Sequence, residues 1–364
     1  MTDKTIFIFD AQEGDKLADD VHTLDGNILA KKDTILNYDI IANISGHHIL
    51  EVKVYDTNNE LEKVLGKTAN KENVKYFDKI RASIRFKHFK KTYDENILDI
   101  KGDLNDVVTN NSPIDIDKLI EGTNEILSAN RNSLQLFDML HSMRQFDDLT
   151  YVHSVNVALI ASILGQWLKF SEKDIRILTI SGLLHDIGKI MIPNEILTKP
   201  GKLTVAEYNI MKQHVNFGYE KVKNQNIDIR IKEACLLHHE KCDGTGYPFG
   251  LKSDHIPAVA KIIAIADVYD AMTSARVYRG ALCPFEVIDT MYKDAFTKFE
   301  PEYILPFLKN VASSYINNDV RLSDGRIGKV VLINENALSL PIVQCEDEFI
   351  DLSKTRGLTV SAIL

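Results

Sequence analysis

No stretch of this 364-residue chain approaches the ~18 consecutive apolar residues that a membrane-spanning helix needs, so a membrane protein is not expected. The N-terminus, Met1-Thr-Asp-Lys-Thr, carries no basic flank ahead of an apolar stretch, and no signal peptide is expected either. Cysteine is scarce. The four present, Cys235, Cys242, Cys283 and Cys345, form no C-x-x-C pair, and in a chain this long they read as reduced thiols. Together these absences suggest a cytoplasmic protein. Positive charge is also short: the formal net charge is −9 and the pI about 5.7, which argues against a surface for polymeric nucleic acid. A local basic pocket for a small phosphorylated ligand remains compatible with that balance. Internal repeats and low-complexity segments are lacking.

With 45% hydrophobic residues the chain can bury a large core, and its length suggests two or three modules at roughly 100–200 residues each. Residues 1–56 read as a small β-rich domain. Thr5 to Phe9 is apolar and β-branched, turn residues follow at Gly14, Asp25-Gly26 and Gly46, and Ile49 to Val54 alternates as a half-buried strand should. A short helix is expected near Asp39–Ile44. Residues 57–148 read as a helical linker or bundle, broken at Asn110-Asn111-Ser112-Pro113; Leu119, Ile126, Leu127, Leu134, Leu136, Met139, Leu140 and Met143 recur at helical spacing. Residues 149–315 are helical almost throughout. In 316–364 the period changes to two alternating runs around Asp324-Gly325, a strong hairpin signal that marks a small C-terminal β appendage. The fold class expected is mainly α, a helical bundle with small β modules at both ends.

The informative residues lie in the third segment. His153, His185, His214, His238 and His239 fall in stretches of helical periodicity, and His185-Asp186 sits in the otherwise apolar run Ser181–Ile190 with Lys189. A helix apolar nearly all round is buried, and burying an imidazole, a carboxylate and a lysine is costly unless they pair or bind a metal. Asp267 is likewise isolated in the apolar run Ala260–Asp270, with Asp270 one turn away. Any one of these alone has a plainer explanation. A lone buried histidine is more often a hydrogen-bonded core residue than a ligand, and Asp267 could be satisfied by helix-end amides. Five histidines and two aspartates in about 115 residues suit a cluster of divalent metals better. Imidazole with carboxylate favours iron, manganese, zinc or nickel over magnesium, and seven donors with one bridging carboxylate are enough for two ions. The run from His238-His239-Glu240 through Asp243-Gly-Thr-Gly246-Tyr247-Pro248 to Gly250 leaves a helix for a loop. Read alone it is a surface loop. Starting at a metal ligand, it lies at the rim of a site, where glycines allow close approach and Tyr247 could offer a stacking face.

These motifs, with Ile265-Ala-Asp267-Val-Tyr-Asp270-Ala-Met-Thr-Ser-Ala-Arg276-Val-Tyr-Arg279 after them, resemble the HD-GYP branch of the HD phosphohydrolase superfamily over about 149–312. The resemblance implies an HD-type helical bundle. It implies that His153, His185, Asp186 and Asp267 hold one metal, and that Asp186, His214, His238 and His239 hold a second, with Asp186 bridging. It implies that Lys189 faces the scissile phosphate. Asp270, Arg276 and Arg279 would line the substrate groove, and Gly246-Tyr247-Pro248 would form its lip. The implied activity is a phosphodiesterase that hydrolyses cyclic di-GMP to pGpG and, in some relatives, on to GMP, with other relatives preferring 3′,3′-cyclic GMP-AMP. Two ions about 3.5–4 Å apart can bridge a water and bring its pKa near neutrality, and guanidinium forks suit the second phosphate. The cofactors expected are two divalent ions, iron or manganese, with zinc or nickel as alternatives; a homodimer is left open. Some relatives hold a third ion through a glutamate one turn before the first histidine. Here that position is Leu149, which offers no donor, so two ions are expected, although Asp147 and Asp148 stand beside it. A non-catalytic cyclic-dinucleotide receptor is the competing reading, but such relatives lose ligands or the Gly-Tyr-Pro lip, and this chain keeps both. Other HD enzymes, nucleotidases or (p)ppGpp hydrolases, lack the His-His-Glu…Gly-Tyr-Pro loop.

Overall fold

The computed structural model describes residues 3–7, 15–22, 28–36, 40, 44, 51–55, 80–81, 83–129, 136–137, 139–140, 143, 149–199, 201–273 and 282–364. Contacts divide the chain into two units, Met1–Lys91 and Thr92–Leu364.

In the first unit, strands β1 (Asp3–Phe7) and β4 (Glu51–Tyr55) pair antiparallel, with Asp3 opposite Tyr55 and Phe7 opposite Glu51. Two shorter strands, β2 (Val21–His22) and β3 (Ile28–Ala30), form a second antiparallel pair. Leu17, Val21, Ala30, Leu36, Ile44, Val52 and Val54 close into one small core. The alternation of β4 is legible in its burial: Val52 and Val54 point inward and Lys53 outward. Most of the short helix expected near Asp39–Ile44 lies outside the described residues.

The second unit is helical, with a terminal sheet. Helix α1 (Ile84–Asn110) enters it from the first unit, and α2 (Ile116–Ala129) follows the Asn-Asn-Ser-Pro break. Leu119 and Ile126 of α2 are buried, as their spacing requires. Next come α3 (Leu149–Trp167) and α4 (Glu172–Leu184), which pack closely on each other. A Cβ at Gly182 would overlap the Ala158 backbone, so glycine sets how near these two helices lie. Ser171 caps α4, its hydroxyl accepting from the Asp174 amide at 3.2 Å. A 3-10 turn (Ile187–Met191) leads to the short helices α5 (Asn194–Leu197) and α6 (Val205–Met211). Then follow α7 (His214–Val222), α8 (Ile229–Leu237) and the apolar α9 (Ala258–Thr273). Helices α10 (Pro284–Asp294) and α11 (Pro301–Ser313) complete the bundle, each opened by proline at its first position, where no intrahelical N–H is needed.

The C-terminal sheet contains β5 (Asp319–Leu322), β6 (Ile327–Leu332), β7 (Ile342–Cys345), β8 (Glu348–Asp351) and β9 (Val360–Ile363), in the order β8-β7-β6-β5-β9, all antiparallel. The β5–β6 hairpin turns at Asp324-Gly325, where Gly325 takes φ +93° and the Asp324 carboxylate accepts the Arg326 amide at 3.1 Å. The architecture is therefore mainly α with small β modules, as the patterning implied. No helix among the described residues is long and apolar enough to cross a membrane.

Candidate metal centre

The centre is assembled around one carboxylate. Asp186 follows the end of α4: His185 is the helix C-cap, and Asp186, at φ −103° and ψ 11°, turns the chain into the 3-10 segment. The apolar patterning suggested an unbroken helix through His185-Asp186; the backbone instead changes geometry at the acid. Gly188 makes this junction workable. A Cβ there would overlap the His214 carbonyl oxygen and the Gly218 amide, so only glycine lets the turn press against the start of α7.

Each Asp186 oxygen faces its own set of imidazoles. Oδ2 lies 3.3 Å from His185 Nε2 and 3.5 Å from His153 Nε2. Oδ1 lies 3.3 Å from His214 Nε2 and 3.7 Å from His238 Nε2. Two donor groups share this acid: His153, His185 and Asp186 on one side, and Asp186, His214, His238 and His239 on the other. Asp267 stands beside the first group, its Oδ1 3.0 Å from His153 Nε2, and its Oδ2 is 3.7 Å from His239 Nδ1. All seven expected ligands are thus brought together.

Three imidazoles are aimed by backbone carbonyls three or four residues earlier in the chain. Nδ1–H of His185, His214 and His238 donates to the carbonyls of Gly182 (2.7 Å), Met211 (2.7 Å) and Ala234 (2.9 Å). Because a carbonyl only accepts, the proton sits on Nδ1 and the Nε2 lone pair faces Asp186. Lone pairs facing a carboxylate have nothing to share but a cation. In agreement, His185 Nε2 and Asp186 Oδ1 are buried with no hydrogen-bond partner. Such orphaned atoms are expensive in a core unless something else binds them. The donor set and the orphaned atoms therefore fit a bound metal.

The fourth imidazole is held differently. His153 Nδ1–H donates to Asp270 Oδ2 at 2.7 Å, and Asn156 donates to Asp270 Oδ1 at 2.8 Å. The Tyr93 hydroxyl in turn donates to Asn156 Oδ1 at 2.5 Å. Asp270 was expected to line the substrate groove; here it is the residue that orients His153, because i and i+3 on α9 put it on the same helix face as Asp267. Burial opposes a charge on His153, but its hydrogen bonds to Asp267 and Asp270 prevail and raise it to about 9 in the metal-free protein. Burial drives His214 down to about 4, and it also lowers His185 and His239. Burial also works against the charge on Asp186, yet the Lys189 ammonium holds its carboxyl well below the usual range. Lys189 reaches Asp186 Oδ2 directly.

The loop after α8 forms one wall. Tyr247 lies over the His239 ring, centroids 4.7 Å apart and planes 28° apart, and its amide donates to the His239 carbonyl at 3.2 Å. Burial pushes its hydroxyl pKa up. The Tyr247-Pro248 bond is cis. A Cβ at Gly246 would overlap the Glu240 and Lys241 backbone. Glu240, buried, accepts the amides of Phe249 (2.7 Å), Gly250 (3.1 Å) and Leu251 (2.8 Å), and so ties the far end of the loop back to its start. Glu240 had been read only as part of the motif, and Asn156 and Tyr93 carried no signal; the cue available for Glu240 was an acid at the entrance of a glycine-rich loop. Arg276 and Arg279 lie outside the described residues. So do Asp147 and Asp148, together with the side chain of Leu149.

A family model described as an HD domain matches residues 124–303. Over these residues the chain carries an HD domain. The chain is 36% identical over 203 residues to a cyclic di-GMP phosphodiesterase of Pseudomonas aeruginosa, covering 56% of this chain and 49% of that protein. It is 32% identical to a 3′3′-cGAMP-specific phosphodiesterase of Vibrio cholerae, covering 50% of this chain and 36% of that one. An HDG"Y"P protein from Bdellovibrio bacteriovorus overlays with a TM-score of 0.45 at 16% identity, covering 84% of this chain and 98% of that chain. The chain spans about half the length, or less, of the curated relatives it matches.

Proposed function

We propose that the protein is a metal-dependent phosphodiesterase that hydrolyses a cyclic dinucleotide, cyclic di-GMP in the first instance, to linear pGpG. The observation that carries this reading is Asp186, whose two oxygens face separate imidazole sets beside a loop with a stacked tyrosine. Relatives named as cyclic di-GMP phosphodiesterases support the substrate class. The 3′3′-cGAMP-specific relative favours cyclic GMP-AMP as the second reading.

His153, His185, Asp186 and Asp267 would hold one divalent ion, and Asp186, His214, His238 and His239 a second, with iron or manganese matching the mixed nitrogen and oxygen donors. When bound, two such ions supply a nucleophilic water near neutral pH and offset negative charge on the phosphate. The protein's own part is positioning. The three Nδ1–H anchors keep Nε2 of His185, His214 and His238 directed inward, so little reorganisation accompanies loading. Asp270 orients His153, and Lys189, paired with Asp186, brings a cation to the edge where a non-bridging phosphate oxygen would lie. Gly246, Tyr247 and Pro248 would form the lip of the substrate groove. The bond to the ribose 3′-oxygen breaks, and a water oxygen is added to phosphorus. Arg276 and Arg279 would take the second phosphate.

The test is nucleotide chromatography of purified protein, loaded anaerobically with iron or with manganese, after incubation with cyclic di-GMP or cyclic GMP-AMP. Linear dinucleotide is the expected product. Tight binding of intact dinucleotide by fully metal-loaded protein, without any product, would favour the receptor reading instead.

A further inference from the structure

Beside the metal centre one lysine is held in an unusual way. Lys212, half-buried between α6 and α7, has its Nζ 5.3 Å from the centre of the Tyr208 ring and 5.9 Å from that of Tyr247. No carboxylate pairs with it among the described residues. Its neighbours along the chain differ: Lys199 meets Glu207 at 2.6 Å and Lys223 meets Glu220 at 2.5 Å. Aromatic faces steady an ammonium group through the ring quadrupole without consuming its hydrogen-bond donors. The three N–H bonds therefore remain open to an anion. Tyr247 itself lies on His239, so the lysine stands one ring's breadth from a ligand of the metal centre. Tyr208, on the other flank, is 48% exposed.

We infer that Lys212, braced between Tyr208 and Tyr247, is a recognition point for the phosphate of the nucleotide half that is not being cleaved. The inference rests on the reading of the centre as a cyclic-dinucleotide phosphodiesterase and deepens it. A cyclic dinucleotide carries two phosphates across one ring, so with one at the metals the other is held at the rim. The rim on the Tyr247 side offers an ammonium with no competing acid, in a chain whose net charge is −9. A phosphate has two non-bridging oxygens, so Lys212 can serve alongside an arginine rather than instead of one. The role is binding and selectivity, with no proton to move.

Full-length manganese-loaded protein, Lys212→Ala, Lys212→Arg and Tyr208→Ala should be compared on cyclic di-GMP and on bis(p-nitrophenyl) phosphate, which has a single phosphate. For Lys212→Ala, KM for cyclic di-GMP should rise roughly ten- to a hundredfold, the worth of a charge-assisted hydrogen bond. The fall in kcat should be much smaller, and the loss on the ester clearly less than on the dinucleotide. The dependence of KM on salt should become shallower. Lys212→Arg should recover most of the affinity, and Tyr208→Ala should show a weaker form of the same KM effect. Unchanged KM in Lys212→Ala, with wild type active, overturns the inference and leaves the phosphodiesterase reading standing. Equal losses on both substrates with a lowered melting temperature overturn it in favour of plain packing. A wild type that hydrolyses the ester but neither binds nor cleaves a cyclic dinucleotide removes the function reading, and this inference with it.

Discussion

On the Oδ2 side of Asp186, His153 stands between two further carboxylates, Asp267 and Asp270, which lift it to about 9 in the metal-free protein. On the Oδ1 side, His214 faces imidazoles, the shared acid and the nearby charge of Lys189, and burial takes it down to about 4. The same residue type is thus prepared in opposite ways within one site. The His153 side is rich in carboxylate and holds a proton that an ion must displace. On the His214 side burial lowers His214 and His239, and His214 and His238 are each aimed by a backbone carbonyl. Imidazole-rich sites suit softer ions than sites rich in oxygen, so the two positions are expected to differ in affinity and in pH dependence even though one carboxylate serves both.

The largest effect that would sharpen this contrast is loss of the shared acid. Asp186→Asn should empty both positions and abolish turnover, because a neutral amide leaves two cations close together with less compensating charge. His238→Ala should remove ligation from the Oδ1 side alone. Metal analysis of the two variants decides the matter: if Asp186→Asn retains a full ion, the sides do not depend on a common carboxylate. A smaller effect is expected at Asp270. Asp270→Asn keeps the shape but weakens the acceptor that orients His153, and such partners are typically worth about ten- to a hundredfold in metal affinity or activity. The loss should appear in the ion of lower stoichiometric affinity and leave the other unchanged, which titration with manganese under chelator competition would resolve. If both ions weaken equally, the asymmetry is not real.

The smallest effect concerns pH. His153 binds its proton more tightly in the folded, metal-free protein, at about 9, than in the unfolded chain, at about 6.5. Its contribution to stability is therefore complete below about pH 6.5 and fades as pH rises through about 9. The metal-free protein should lose melting temperature across that window. The loaded protein should not, since a metal replaces the proton. For the same reason, loading at pH 7 should release a proton from the His153 side and none from His214. Calorimetry in buffers of different ionisation enthalpy measures this directly, and loading without proton release would contradict it.

Much of this site was legible because helical periodicity exposes misplaced polarity. His185-Asp186 and Asp267 stood out against apolar surroundings, and burial without partners is costly enough to imply a purpose. The Asp324-Gly325 hairpin was legible because its turn chemistry is local. The loop through Gly246-Tyr247-Pro248 was recognisable as a rim, yet its internal brace was not, because Glu240 bonds amides nine to eleven residues further on. The backbone change at Asp186 was missed for a related reason: it depends on Gly188 meeting α7, a contact that no local pattern encodes.

Taken alone, the sequence determined the helical class, the terminal β modules and which seven polar residues needed partners in an apolar setting, since period, turn residues and stranded polar groups are properties of neighbouring positions. Only the tertiary structure decided which imidazoles face which oxygen of Asp186, which ring nitrogen faces inward, and that Asp270 orients His153. Those two residues lie 117 positions apart, and they meet because α3 packs against α9. A hydrogen bond of 2.7 Å is set by how two helices seat against each other, and that seating is the outcome of the whole core.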